Sequence, residues 1–131
     1  MENGIIELNA SFISMGNAVG KKEFEGPLGE FFDIHDEDDR FGKETWEKAE
    51  SELQHFAIDK ATKKAHMENK IELIIAGDLL NQCTASTFSS SASNTPFIGV
   101  YGACSTMALS LAVGSFLVSG GFKNRVVAAN K

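Results

Sequence analysis

The chain has 131 residues, with 12 Lys and Arg against 18 Asp and Glu and a formal net charge of −6. That length suits one domain or part of one, and it is enough to bury a core without disulfide or metal staples. An apolar share of 43% with only 2 prolines excludes a disordered or linker-type chain, and the acidic balance argues against nucleic acid and against charge-driven binding to anionic lipid.

Cys83 and Cys104 are too few for a secreted disulfide framework and too far apart for a CxxC redox or zinc pair. The N-terminus, Met1-Glu2-Asn3-Gly4, lacks the basic region and apolar run of a secretory signal. The longest apolar stretch, residues 107–118, is interrupted by Ser110, Gly114 and Ser115 and is too short to span a bilayer. The expectation is a soluble intracellular protein, or one that meets a membrane only through a partner.

In chain order, Ile5, Ile6 and Leu8 suggest a short strand, and residues 12–19 a second extended segment. Gly26-Pro27-Leu28-Gly29 is a turn signal. Phe31 and Phe32 are expected to tuck the following loop against the core. The acidic run at 33–39 reads as a solvated loop. Residues 43–66 form a long helix, because Trp46, Ala49, Leu53, Phe56, Ala57, Ala61 and Ala65 fall on one stripe. Glu44 and Glu47 at its start and Lys60, Lys63, Lys64 and His66 at its end complement the helix dipole. Glu44–Lys48 and Asp59–Lys63 are spaced to pair on its wet side. Trp46 and the phenylalanines read as core.

Residues 71–76 form a strand whose continuously apolar end fits a parallel strand covered on both faces. A Ser/Thr/Ala-rich helix at 85–93, a strand at 97–101 from Phe97 to Tyr101, an apolar helix at 105–118 and a buried strand at 125–129 follow. Gly120-Gly121 marks the helix stop. Strands alternating with helices predict an α/β fold with a mostly parallel sheet, right-handed crossovers and ligands at the C-terminal strand edges. Asp78, Asn81 and Cys104 fall on that edge.

Cys104 sits on a strand–turn–helix elbow, the geometry of a nucleophile elbow without its GxSxG signature. The helix dipole there favours a thiolate, and the free N–H groups can hold an oxyanion or a ligand carboxylate. The position also suits a small buried residue chosen for packing between Ala103 and Ser105. His35, His55 and His66 are not placed near it by the sequence, so a Cys–His pair has no support. The acidic run fails the EF-hand pattern, since Phe41 stands where glycine is required. Gly16-Asn17-Ala18-Val19-Gly20-Lys21 is one residue short of a P-loop and is followed by Lys22, not Ser or Thr. No metal or cofactor is implied.

Longer wording carries a family resemblance. It comprises Ala76-Gly77-Asp78-Leu79-Leu80-Asn81-Gln82, Pro96-Phe97 and Tyr101-Gly102-Ala103-Cys104-Ser105-Thr106. Upstream stand Gly20-Lys21-Lys22-Glu23, Gly26-Pro27-Leu28-Gly29 and Phe32-Asp33; downstream stand Gly120-Gly121-Phe122 and Arg125-Val126. From about residue 12 onward this resembles the stage V sporulation protein AD family of the thiolase-like superfamily. The resemblance implies two related α/β halves, each a five-stranded, mixed and mostly parallel sheet covered by helices, with residues 1–131 expected to be the front half-domain of a longer chain. It implies a homodimer through the strand 97–101 and places Cys104 at the superfamily's nucleophile position. An acid commonly stands where this chain has Leu109, and the superfamily's catalytic histidines come from the second half.

The family is implicated in moving dipicolinic acid into the developing spore. The resemblance therefore implies a non-enzymatic protein that binds dipicolinic acid or its calcium chelate through Cys104, Ser105, Asp78 and Asn81. It would act peripherally at the cytoplasmic face of the spore inner membrane, with membrane proteins of the same sporulation operon and without nucleic acid. The rival reading is acyl transfer through a Cys104 thioester, which needs a histidine and an oxyanion hole from the second half.

Overall fold

The computed structural model describes residues 4–79, 83–91 and 93–131. Its centre is a three-stranded parallel sheet of β3 (Leu73–Gly77), β4 (Phe97–Gly99) and β5 (Val126–Asn130), in the order β4-β3-β5. Ile75 pairs with Ile98 on one side and Ala128 on the other. Every residue of β3 is buried, and Ile75 and Ala76 are fully inaccessible, which explains the unbroken apolar run. A smaller parallel pair, β1 (Ala18–Val19) with β2 (Ile34–His35), stands apart from this sheet. The architecture is α/β, and every described strand pairing is parallel.

Three helices matter to the site: α2 (Trp46–Lys64), α3 (Thr84–Ser91) and α4 (Thr106–Ser119); a single turn, α1 (Lys21–Phe24), follows β1. The chain goes from β3 through α3 to β4, then through α4 back across β3 to β5. Two right-handed crossovers in opposite directions put α3 and α4 on opposite faces of the sheet. α2 lies against α3, where Gln54 Nε2 donates to Ser86 Oγ at 3.1 Å. Thr45 caps α2 by accepting from the Lys48 N–H at 3.3 Å, so the helix begins at Trp46, the first residue of the apolar stripe, and three residues later than the expected start at 43. The two wet-side ion pairs form, Lys48–Glu44 at 3.7 Å and Lys63–Asp59 at 2.7 Å.

Three expectations are corrected. Trp46 is 54% exposed and carries the Arg40 guanidinium 4.8 Å above its ring instead of entering the core. Phe31 is exposed, so it does not pin its loop. The segment 12–19 forms a ladder only at its last two residues, and Ile5, Ile6 and Leu8 form no strand. The acidic run does more than face water. Asp33 Oδ2 accepts from the Asn17 N–H, Asn17 Oδ1 accepts from the Asp33 N–H, and Asp33 pairs with Lys64 of α2. These contacts tie the small sheet to the long helix.

α4 presents an inverted pattern. Its buried residues are the small ones, Thr106, Ser110 and Gly114, one turn apart on the sheet side. Met107, Leu109 and Phe116 point outward and are 58%, 38% and 48% exposed. A helix apolar on all sides belongs to a buried layer. It ends in a Schellman motif. Gly121, at φ +75°, donates to Val118 O at 3.0 Å, and Phe122 N–H donates to Leu117 O at 3.0 Å.

Candidate functional site at the Cys104 elbow

β4 stops at Gly99, and its successors fold into a tight 3₁₀ turn, Ala103–Ser105, that leads directly into α4. Two side chains hold the turn. Thr106 is fully buried; its Oγ1 donates to Ala103 O at 2.8 Å and accepts from the Gly102 N–H at 3.1 Å. Ser105 Oγ donates to Gly102 O at 2.6 Å. Ala103 sits at φ +49°, in the left-handed region that non-glycine residues seldom occupy. Strain of this kind persists where the surroundings over-determine the backbone, as on catalytic elbows.

The result presents Cys104 and Ser105, both exposed, at the head of a 14-residue helix. The first turn of α4 contains no acidic side chain, so the positive end of its dipole is uncompensated from within. The expected elbow is therefore present, with a small 3₁₀ turn in place of a direct entry into the helix.

Gly77, the last residue of β3, is packed against this turn. A Cβ there would lie 2.1 Å from Val100 O and 2.5 Å from Thr106 Cγ2. Only glycine lets the strand end approach the elbow so closely. Cys83 joins from the other side: its Sγ donates to Val100 O at 3.1 Å, from a backbone at φ +72°. It is half-buried.

Asp78 is 1% exposed. Its Oδ2 accepts from the Ser86 N–H at 2.8 Å, within the first turn of α3. That helix has no acidic residue in its own first turn, and the buried carboxylate from the preceding loop supplies the missing acceptor. Asp78 is thus adjacent to the elbow in the sheet but directed at a backbone. Asn81 lies outside the described residues. The signal for the Asp78 role was an acid followed by an Ser/Thr/Ala helix that lacks its own acidic start. Thr106, missed by the sequence reading, is the side chain that locks the turn.

The histidines lie elsewhere. His35 is on β2 and stacks on Phe24 with ring centroids 3.5 Å apart, His55 is on α2, and His66 follows its C-terminus. Among the described residues no group of three or more His, Cys, Asp or Glu could hold a metal ion, and no helix is long and apolar enough to cross a membrane.

The family model described as stage V sporulation protein AD matches residues 3–131. A curated relative, the stage V sporulation protein AD of Bacillus subtilis strain 168, is 40% identical over 117 residues. The match covers 88% of this chain and 35% of that protein. The chain therefore spans about a third of the length of the curated relative it matches.

Proposed function

The chain belongs to the stage V sporulation protein AD family, and from that premise we propose that it binds dipicolinic acid, alone or as its calcium chelate, at the Cys104 elbow and assists its uptake into the developing spore. The observation that carries this reading is the exposed Cys104–Ser105 corner at the head of α4. A planar dicarboxylate meets there the positive dipole end of a helix whose first turn carries no acid. The inward Asp78 carboxylate is engaged by the Ser86 N–H. Its charge is thereby partly balanced, which eases the repulsion that an acid beside an anion site would otherwise impose.

In this reading the thiolase-like elbow serves binding, not catalysis. The protein works peripherally at the cytoplasmic face of the spore inner membrane, with membrane proteins of its operon. It dimerises through β4, whose Ile98 is exposed.

Equilibrium titration with dipicolinate, with and without calcium, tests the proposal. Saturable binding that Cys104→Trp abolishes, by filling the corner, is expected. No binding under either condition, or binding unchanged by Cys104→Trp, overturns it.

A further inference from the structure

We propose that Leu28 and Phe31 form an apolar knob by which this chain holds a protein partner, and that the partner presents an apolar notch bordered by Lys and Arg. Phe31 is 78% exposed and Leu28 60%. They are neighbours on one short turn. Gly29–Phe31 is a 3₁₀ helix, and the Phe31 N–H donates to Leu28 O at 3.0 Å. Other aromatic side chains of this region are engaged within the chain: Phe24 stacks on His35, and Phe41 is buried. Leu28 and Phe31 are left facing water.

The backbone holds the knob in place. The Gly29 N–H donates to Gly26 O at 3.0 Å, and a Cβ on Gly29 would lie 1.9 Å from Phe24 O. Only glycine lets the turn sit so close to α1. The β1–β2 pairing and the contact of Asp33 with Lys64 fix this unit on α2. A preformed projection loses little conformational entropy when it enters a notch.

Charge selects the partner. Residues 18–40 contain eight Asp and Glu against three Lys and Arg, which is −5 of the chain's −6. Glu25 and Glu30 flank the two apolar residues and are exposed. The acidic run is fastened to α1 where Asp39 Oδ1 accepts from the Lys21 N–H at 3.1 Å. An anionic lipid surface would be repelled, and a second copy would set one acidic surface against another. A notch with a basic rim complements both parts of the surface: the rim speeds encounter, and the apolar contact slows release. None of these residues belongs to the Cys104 corner, so the proposal does not depend on dipicolinate binding.

The probe is a synthetic amphipathic helical peptide with a Leu face bordered by Lys and Arg, titrated calorimetrically into the 131-residue chain. Saturable binding is expected, with amide exchange slowed at residues 24–33. Phe31→Ser should weaken it about tenfold or more, with an unchanged far-UV circular dichroism spectrum. Leu28→Ser, a second exposed position, covers the case in which Phe31→Ser alters the turn. Glu25→Lys combined with Glu30→Lys should weaken binding and reduce its salt dependence. A peptide with Ser in place of Leu should bind about tenfold more weakly, and one with Glu in place of Lys and Arg should not bind. Five results overturn the proposal. They are no binding, equal binding by the Leu-free peptide, binding unchanged by both Phe31→Ser and Leu28→Ser, protection that falls on α4 instead, and binding of phosphatidylglycerol vesicles in preference to the peptide.

Discussion

The Asp78 carboxylate accepts a 2.8 Å hydrogen bond from the Ser86 N–H, although the two residues belong to different elements and both are buried. An acid at the C-terminal edge of a parallel strand invites a ligand-binding role. Here its lone pair holds the start of α3, and Ser86 in turn receives Gln54 Nε2 from α2. A single carboxylate thus links the strand that abuts the elbow to the two helices that cover one face of the sheet.

Replacing Asp78 with Ala should cost about 1–3 kcal/mol, the loss of a buried acceptor that caps a helix. Asp78→Asn keeps an acceptor and should cost less than half as much. Urea denaturation of the three proteins measures this. Equal stability of Asp78→Ala and the parent would show that the bond contributes nothing.

Gly77 is predicted to be irreplaceable. With Val100 O 2.1 Å from its hypothetical Cβ, Gly77→Ala must push β3 away from the elbow. Overpacking of this type costs about 1–3 kcal/mol. Because the displaced atoms include Thr106 Cγ2, dipicolinate affinity should fall together with stability. Thermal melts and ligand titration of the variant measure both. A variant that retains parental stability would contradict the packing described.

Asp33 supplies a pH dependence. Its hydrogen-bonded pairing with Lys64, supported by the Asn17 N–H, lowers its pKa below the ordinary 3.8. A carboxylate with a depressed folded-state pKa stabilises the fold above its unfolded value, and that contribution is lost as pH falls through the folded value. Asp33→Asn should therefore be less stable than the parent at neutral pH. The difference should shrink only once the pH drops below about 3.8. Denaturation across an acid series reads it, and a difference independent of pH would exclude the ion pair as its source.

The outward face of α4 predicts association. Met107, Leu109 and Phe116 expose apolar surface on a helix whose opposite side already packs on the sheet. The 131-residue chain should self-associate in sedimentation experiments, and Leu109→Glu with Phe116→Glu should reduce that association. Monomeric behaviour of the parent at all concentrations would contradict it.

The parts legible in the sequence were those fixed by local pattern. Leu73 to Ala76 could only be a strand buried on both faces, and the stripe from Ala49 to Ala61 could only be a helix. The elbow was legible as well, because Gly102 and Ala103 separate a strand from an apolar helix. What escaped depended on partners distant in sequence. Trp46 lies outside the core because Arg40 covers it at the helix start. Only Ala18 and Val19 of the second extended segment form a ladder, since β2 offers two residues to pair with. The outward face of α4 could not be read because the helix is apolar on every side. The direction of the Asp78 side chain was set by a helix that begins six residues later.

The proposed function puts dipicolinate at the corner presented by Cys104. The most direct test is the rate at which a small thiol reagent alkylates Cys104 as dipicolinate is added, in a Cys83→Ser background that keeps a donor for Val100 O. Saturable protection is expected, with a midpoint matching the dissociation constant from titration. Alkylation that continues at an unchanged rate while dipicolinate is bound would place the ligand elsewhere and overturn the proposed site.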